Sequence, residues 1–143
     1  GFKAVLHLDP ATKKYIDEFN SSNFFAIKGN TYITPLSTTI LPSITNMSLE
    51  VAAADLGMEV ERRPVPVEEL PTFDEVGECG TAVVITPVHK LVDKPSLESE
   101  EETVYTYGDG LCGEKSLQLF NYITDIQYGV REDKFGWTRE VEI

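Results

Sequence analysis

Cysteine, histidine and tryptophan are scarce in this chain of 143 residues, which contains two cysteines, two histidines and one tryptophan. Cys79 and Cys112 have no CxxC spacing and sit among non-secretory features, so they read as reduced thiols rather than a disulfide framework. With only His7 and His89 as imidazoles, and no second ligand at a ligand spacing, no metal site is expected. No apolar run approaches the roughly 20 residues needed to span a bilayer. The opening "GFKAVLHLDP" is too short and too soon interrupted to serve as a signal peptide. A soluble, cytoplasmic chain is the expectation.

Positive charge is also short. Twelve basic residues face 24 acidic ones, for a formal net charge of −12. The summed field therefore repels nucleic acid and anionic membrane surfaces, and any anionic ligand has to be held by local geometry. What is present is ordinary for a globular protein: 41% hydrophobic and 25% charged residues, ten glycines and eight prolines. The length suits one domain at the usual ~100–200 residues.

The first third reads as antiparallel strands. "AVLHL" (4–8) is mostly apolar, "KYIDE" (14–18) follows a polar "DPATK" turn, and "NFFAIK" (23–28) meets "TYIT" (31–34) across Gly29-Asn30, a strong two-residue hairpin signal. From Thr45 the period becomes helical: Leu49, Ala52, Ala53 and Leu56 fall at i, i+3, i+4, i+7, and Ile44, Met47 and Val51 make a second stripe. Two stripes predict a helix covered on more than one face. Gly57 stops it, and "MEVERRPV" (58–65) alternates like a half-exposed strand. "PVEELPTFDEV" (66–76) offers a short helical turn limited by Pro71. The unbroken apolar run of "GTAVVITPV" (80–88) predicts a fully buried central strand. "KPSLESEEETV" (94–104) is a solvated acidic loop, and "EKSLQLFNYITDIQYG" (114–129) is a second amphipathic helix ended by Gly129.

Three places can hold a ligand. The run "LPSIT" leaves unpaired N–H groups at the start of the Thr45 helix, which either cap themselves through the Thr45 hydroxyl or receive a phosphate on the Ile44 and Thr45 amides. Cys79-Gly80-Thr81-Ala82 combines a glycine that permits close backbone approach with a hydroxyl donor, although a tight turn explains it equally well. Glu18 leaves a strand; it is either solvated or, if it points inward, needs a cationic partner such as a protonated ring nitrogen.

The stretches "KYIDEFNSSNFF", "LPSIT", "VAAADLGMEVERRPV", "CGTAVVITPV" and "DIQYGVREDKFGW", in this order and spacing, resemble the C-terminal half of branched-chain amino acid aminotransferases, which are pyridoxal 5′-phosphate (PLP) enzymes of fold type IV. The resemblance runs from about His7 to Trp137 and is weakest over 89–112. It implies a mixed α/β (α+β) fold, a pseudo-barrel of mixed strands surrounded by helices. Residues 1–143 would form one domain, the cofactor-binding half of a two-domain enzyme whose N-terminal domain is absent from this chain.

The same resemblance implies that Glu18 pairs with the pyridinium nitrogen, that Leu41 packs on the ring, and that Ile44, Thr45 and Thr81 hold the phosphate. Thr81 and Ala82 would bind the substrate carboxylate through their amides. The implied substrates are leucine, isoleucine and valine with 2-oxoglutarate and glutamate, and the implied parent is a homodimer or larger. Ser43 stands where many relatives have glycine, a change that could stiffen the cradle. The family's Schiff-base lysine lies upstream of Gly1; Lys3, Lys13 and Lys14 do not match it, so this chain by itself is expected to be inactive. D-amino acid aminotransferases and aminodeoxychorismate lyases share these motifs, and a non-catalytic phosphate-binding module is the third reading.

Overall fold

Gly29 and Asn30 close a two-residue turn, as the dipeptide predicts. In the computed structural model, which describes residues 1–142, Gly29 has φ +57° and Lys28 pairs with Thr31, so strand β3 (Asn23–Lys28) folds directly onto β4 (Thr31–Pro35). Positive φ at the first turn position alone is the type II′ pattern that suits the twist of the two strands. The turn is also tied sideways: Asp74 accepts the Gly29 N–H at 2.6 Å, and the Asn30 side chain donates to the Gly57 carbonyl at 2.9 Å.

Before this hairpin, β1 (Leu6–Leu8) and β2 (Ile16–Phe19) add antiparallel strands, and β2 meets β3 at Glu18 and Asn23. After it comes helix α1 (Ile44–Asp55), which Gly57 ends with φ +81°. The chain then returns as β5 (Glu59–Arg63), parallel to β4 from Thr31↔Glu59 to Pro35↔Arg63. A 3-10 turn (Val67–Thr72) leads into β6 (Glu75–Cys79), which pairs antiparallel with β3 and with the short β7 (Ile85–Pro87). A separate two-stranded ribbon, β8 (Lys90–Asp93) and β9 (Thr103–Thr106), carries the acidic loop at its tip, and α2 (Glu114–Gln127) follows. The mixed α/β fold expected from the sequence is the fold observed. No described helix is long and apolar enough to cross a membrane.

Strand β3 is buried on both faces, which is why it reads as an almost unbroken apolar run, whereas β5 at the sheet edge is exposed. Phe25 and Ile27 face the helical layer, where they meet Leu49, Ala52 and Ala53 of α1 and Leu119, Tyr122 and Ile126 of α2. Phe24 and Ala26 face the opposite way, into a core with Ile16, Val65, Phe73 and Val76. The alternation follows from the two-residue period of a strand.

Three expectations are corrected. The central strand is "EVGEC" (75–79), between β3 and β7, and not "GTAVVITPV": within the latter only Ile85–Pro87 is strand, at the sheet edge, while Thr81, Ala82 and Val83 bend out into solvent. The two glutamates of β6 disguise it, yet each is satisfied. Glu75 accepts the Lys115 and Ser116 N–H groups at 3.0 and 2.8 Å and so caps α2, whose own N-cap Gly113 has no side chain to do so. Glu78 accepts from the Ser22 hydroxyl at 2.5 Å. Second, α1 is covered on one face only, since Ile44, Met47 and Val51 are 74, 41 and 40% exposed. Third, the acidic loop is flanked by a ribbon that the charge of its connecting segment conceals in the sequence.

Gly77 marks where β6 passes beneath the Phe25 ring: a methyl group there would overlap the ring carbons. Phe25 cannot yield, because it is fully buried and stacked on Tyr32 with centroids 5.2 Å apart. Gly77→Ala is therefore expected to destabilise the fold by roughly 1–3 kcal/mol, read as a lower urea midpoint.

Candidate functional site

The first turn of α1 is capped by Ser43. Its backbone is extended, with φ −111° and ψ 120°, and its hydroxyl accepts the Asn46 N–H at 3.1 Å. This corrects the expectation that Thr45 supplies the cap. It also shows that Ser43 takes a conformation open to any residue, so a serine in place of glycine stiffens nothing by strain. The Ser43 carbonyl accepts the Met47 N–H at 2.9 Å, and the Ile44 and Thr45 amides have no partner among the described residues.

The position of this helix end is set from within the core. Asn46, 2% exposed, accepts a hydrogen bond from the Tyr32 hydroxyl at 2.7 Å and donates to the Thr34 hydroxyl at 2.9 Å, which donates onward to the Phe24 carbonyl at 3.0 Å. A chain of side-chain bonds thus links α1 to β4 and β3. Burial pushes the Tyr32 hydroxyl well above its ordinary value and keeps it a donor. Sequence reasoning missed Asn46, although it lies on the buried Leu49–Ala53 stripe, where a polar residue must find buried partners.

Glu18, Asn23 and Cys79 stand side by side across β2, β3 and β6. Two strand spacings separate the outer two backbones by about 10 Å. Because these strands run antiparallel, the end of β2, the beginning of β3 and the end of β6 share one rim. Thr34, near the end of β4, and the start of α1 join it through Asn46. Glu18 and Gly80–Ala82 are thereby brought to the same edge from distant parts of the chain.

Glu18 is half-buried. Its Oε2 accepts from Asn23 Nδ2 at 3.2 Å, and no lysine, arginine or histidine forms an ion pair with it among the described residues. It lines a cleft of about 280 Å³ with His7, Asp17 and Thr39. Asp17 is 5% exposed; its Oδ2 accepts from the Thr39 hydroxyl at 2.6 Å and its Oδ1 is buried without a partner. Ile44, Thr45 and Thr81 line a second, larger cleft of about 470 Å³ together with Met47, Val84 and Trp137.

The predicted residues thus divide between two clefts that share no lining residue. Leu41 and Ala82 are exposed and line neither, but the Leu41 carbonyl accepts from the same Asn23 amide, at 3.2 Å, that holds Glu18. Gly80 has no positive φ, and a methyl group there would meet only the Ser22 Cβ at 3.9 Å. Nothing inside the chain therefore demands a glycine at 80, and the space beside it stays open.

A mixed sheet thus carries a carboxylate, a helix start with free amides and a small-residue turn on one rim. The sequence places the chain more closely. Residues 1–91 match the family model for amino-transferase class IV. The chain is 42% identical over 142 residues to branched-chain amino acid aminotransferase 2, chloroplastic, of Humulus lupulus, an alignment covering 99% of this chain and 33% of that protein. Its fold superposes on the branched-chain amino acid aminotransferase from Escherichia coli with a TM-score of 0.78 and 31% identity, over 96% of this chain and 42% of that one. On another solved branched-chain amino acid aminotransferase, complexed with N-(5′-phosphopyridoxyl)-L-glutamate, the TM-score is 0.75 at 26% identity, over 94% and 41%. The chain belongs to the class IV amino-transferase family. It spans about a third of the length of the first of these relatives and about two fifths of the two solved structures.

Two outcomes follow from this geometry. Asn46→Ala strands the buried Tyr32 hydroxyl and is expected to cost roughly 2–4 kcal/mol in denaturant unfolding, whereas Thr45→Ala costs less than about 0.5 kcal/mol. Cys79 is free, and burial pushes its thiol up to about 12. The unfolded chain ionises this thiol from about pH 8.5 while the folded chain keeps it neutral, so stability falls as pH rises through that window. Between neutral pH and about pH 9.5 the wild type should lose more stability than Cys79→Ala, and a thiol reagent should label Cys79 only on unfolding.

Proposed function

We propose that this chain is the cofactor-binding part of a PLP-dependent aminotransferase that passes the amino group between leucine, isoleucine or valine and 2-oxoglutarate in two half-reactions. The observation that carries the proposal is the shared rim, which gathers Glu18, the start of α1 and Gly80–Ala82 in a chain of this family. The Humulus lupulus relative and the two solved structures above are branched-chain amino acid aminotransferases, which supports the substrate class.

The residues fit the cofactor on three counts. Glu18 has a carboxylate with a neutral donor on one oxygen and no cation beside it, which suits a protonated ring nitrogen. The unpartnered Ile44 and Thr45 amides, at the positive end of α1, suit a phosphate in a protein whose overall charge would repel one. The open space beside Gly80 admits a ligand against the backbone. When bound, PLP draws electron density from the Cα of the amino acid so that its proton can be removed.

In this reading Glu18 keeps the ring nitrogen protonated, exposed Leu41 covers one ring face, and the Ile44 and Thr45 amides with Thr81 fix the phosphate. The Thr81 and Ala82 amides orient the substrate carboxylate. Among the described residues no lysine lines either cleft, Lys3, Lys13 and Lys14 included; in this reading the lysine that moves the proton is supplied from outside these residues and the chain alone does not turn over. The complete enzyme is a cytoplasmic homodimer or larger assembly in which residues 1–143 form the C-terminal domain.

Trp137 supplies the test, because the only tryptophan of the chain lines the cleft shared by Thr45 and Thr81. Titration with PLP should quench its fluorescence saturably, Thr81→Ala should weaken binding about tenfold, and pyridoxal without its phosphate should bind more weakly still. Borohydride should leave no lysine of 1–143 labelled stoichiometrically. Equal affinity for PLP and pyridoxal, or no saturable quenching, would sink the proposal.

A further inference from the structure

Asn23 occupies an unusual crossing. Its backbone is held on both sides, paired with Glu18 of β2 and with Cys79 of β6, and its side chain is only 9% exposed. Its Nδ2 lies 3.2 Å from Glu18 Oε2 and 3.2 Å from the Leu41 carbonyl. Both partners are acceptors, so the amide nitrogen must face them, and its two protons serve one each. The segment carrying Leu41 has only one other side-chain tie to the strands below it among the described residues, from the Thr39 hydroxyl to Asp17 Oδ2 at 2.6 Å. Beyond Pro35, Leu36 still donates to the Arg63 carbonyl at 2.9 Å, and from there to the helix cap at Ser43 the strap depends on these two contacts.

We propose that Asn23 is a positioning residue that clamps the Glu18 carboxylate and the Leu41 strap to each other, so that the group facing the ring nitrogen and the group covering the ring move as one unit. The role rests on the cofactor reading above and adds a residue to it. The side chain is replaceable without loss of fold, because the ladder contacts of residue 23 are backbone contacts and both freed acceptors lie near the surface, where water can take them. Aspartate at the same position keeps the shape but removes both donors and sets a second carboxylate against Glu18 and the Leu41 carbonyl. It should therefore be worse than alanine.

Two measurements test the clamp. The first uses Trp137 fluorescence with PLP and with 1-deaza-PLP, in which a C–H replaces the ring nitrogen. Asn23→Ala should weaken PLP about tenfold and the deaza analogue by less than about twofold, and in a Glu18→Gln background it should add less than about twofold for PLP. Equal losses for both probes, or full additivity with Glu18→Gln, would mean that Asn23 acts only as scaffolding and would overturn the proposal. The second measurement needs no cofactor: amide hydrogen exchange at Thr39, the one amide of residues 37–41 with an acceptor, should speed up about tenfold in Asn23→Ala, with β3 amides unchanged. If the wild type binds neither probe, the cofactor reading fails, and the exchange result alone decides the clamp. Unaltered exchange at Thr39 would reject it.

Discussion

Asn46 is fixed by two hydrogen bonds that cannot be replaced by water. Tyr32 donates to it from β4, it donates to Thr34 on the same strand, and Thr34 closes the chain on the Phe24 carbonyl of β3. All of these side chains are buried, so breaking any link leaves a polar group in an apolar surrounding without recompense. An apolar contact would let α1 slide or rotate by some fraction of a turn; a donor–acceptor chain of this kind admits one register. The start of α1 therefore sits where the sheet puts it, and the two amides left free at that start point toward a fixed place.

The sheet itself is set by a similar lack of alternatives. With both faces of β3 buried, a slip of one residue would exchange Phe25 and Ile27 for Phe24 and Ala26 and mismatch two cores at once. Gly77 reinforces this register, since only glycine can lie beneath the Phe25 ring. The rim formed by Glu18, Asn23 and Cys79 inherits that rigidity, and the less regular pieces beside it, the Leu41 strap and Gly80–Ala82, hang from it. Rigid support beneath irregular loops is a common arrangement for binding sites.

The electrostatics follow the same division. A net charge of −12 makes the protein as a whole unwelcoming to anions, and the rim's positive potential comes from backbone dipoles at the start of α1. Glu18 is left without a basic partner among the described residues. The buried Asp17 oxygen that lacks a partner is the one polar group of this cleft for which the structure offers no physical account.

Local patterns are enough to read the β3–β4 hairpin, both helices with their glycine stops and the unpaired state of the cysteines, and to single out Glu18, Ile44, Thr45 and Thr81 as candidates, because each depends on neighbours within a turn or two. β6 is not legible: two glutamates and a glycine in five residues look like a loop, and become a central strand only because Glu75 caps a helix forty residues away and Gly77 lies beneath Phe25. "GTAVVITPV" misleads for the converse reason, since apolar residues alone do not create an edge to pair with. Asn23 and Asn46 are invisible as pivots because their partners are distant in the chain. The sequence by itself determined which segments bend, coil or extend and which residues carry suitable chemistry. Only the tertiary structure decided which of those residues meet, because hydrogen bonds between distant segments depend on how the whole sheet closes and no local period records that.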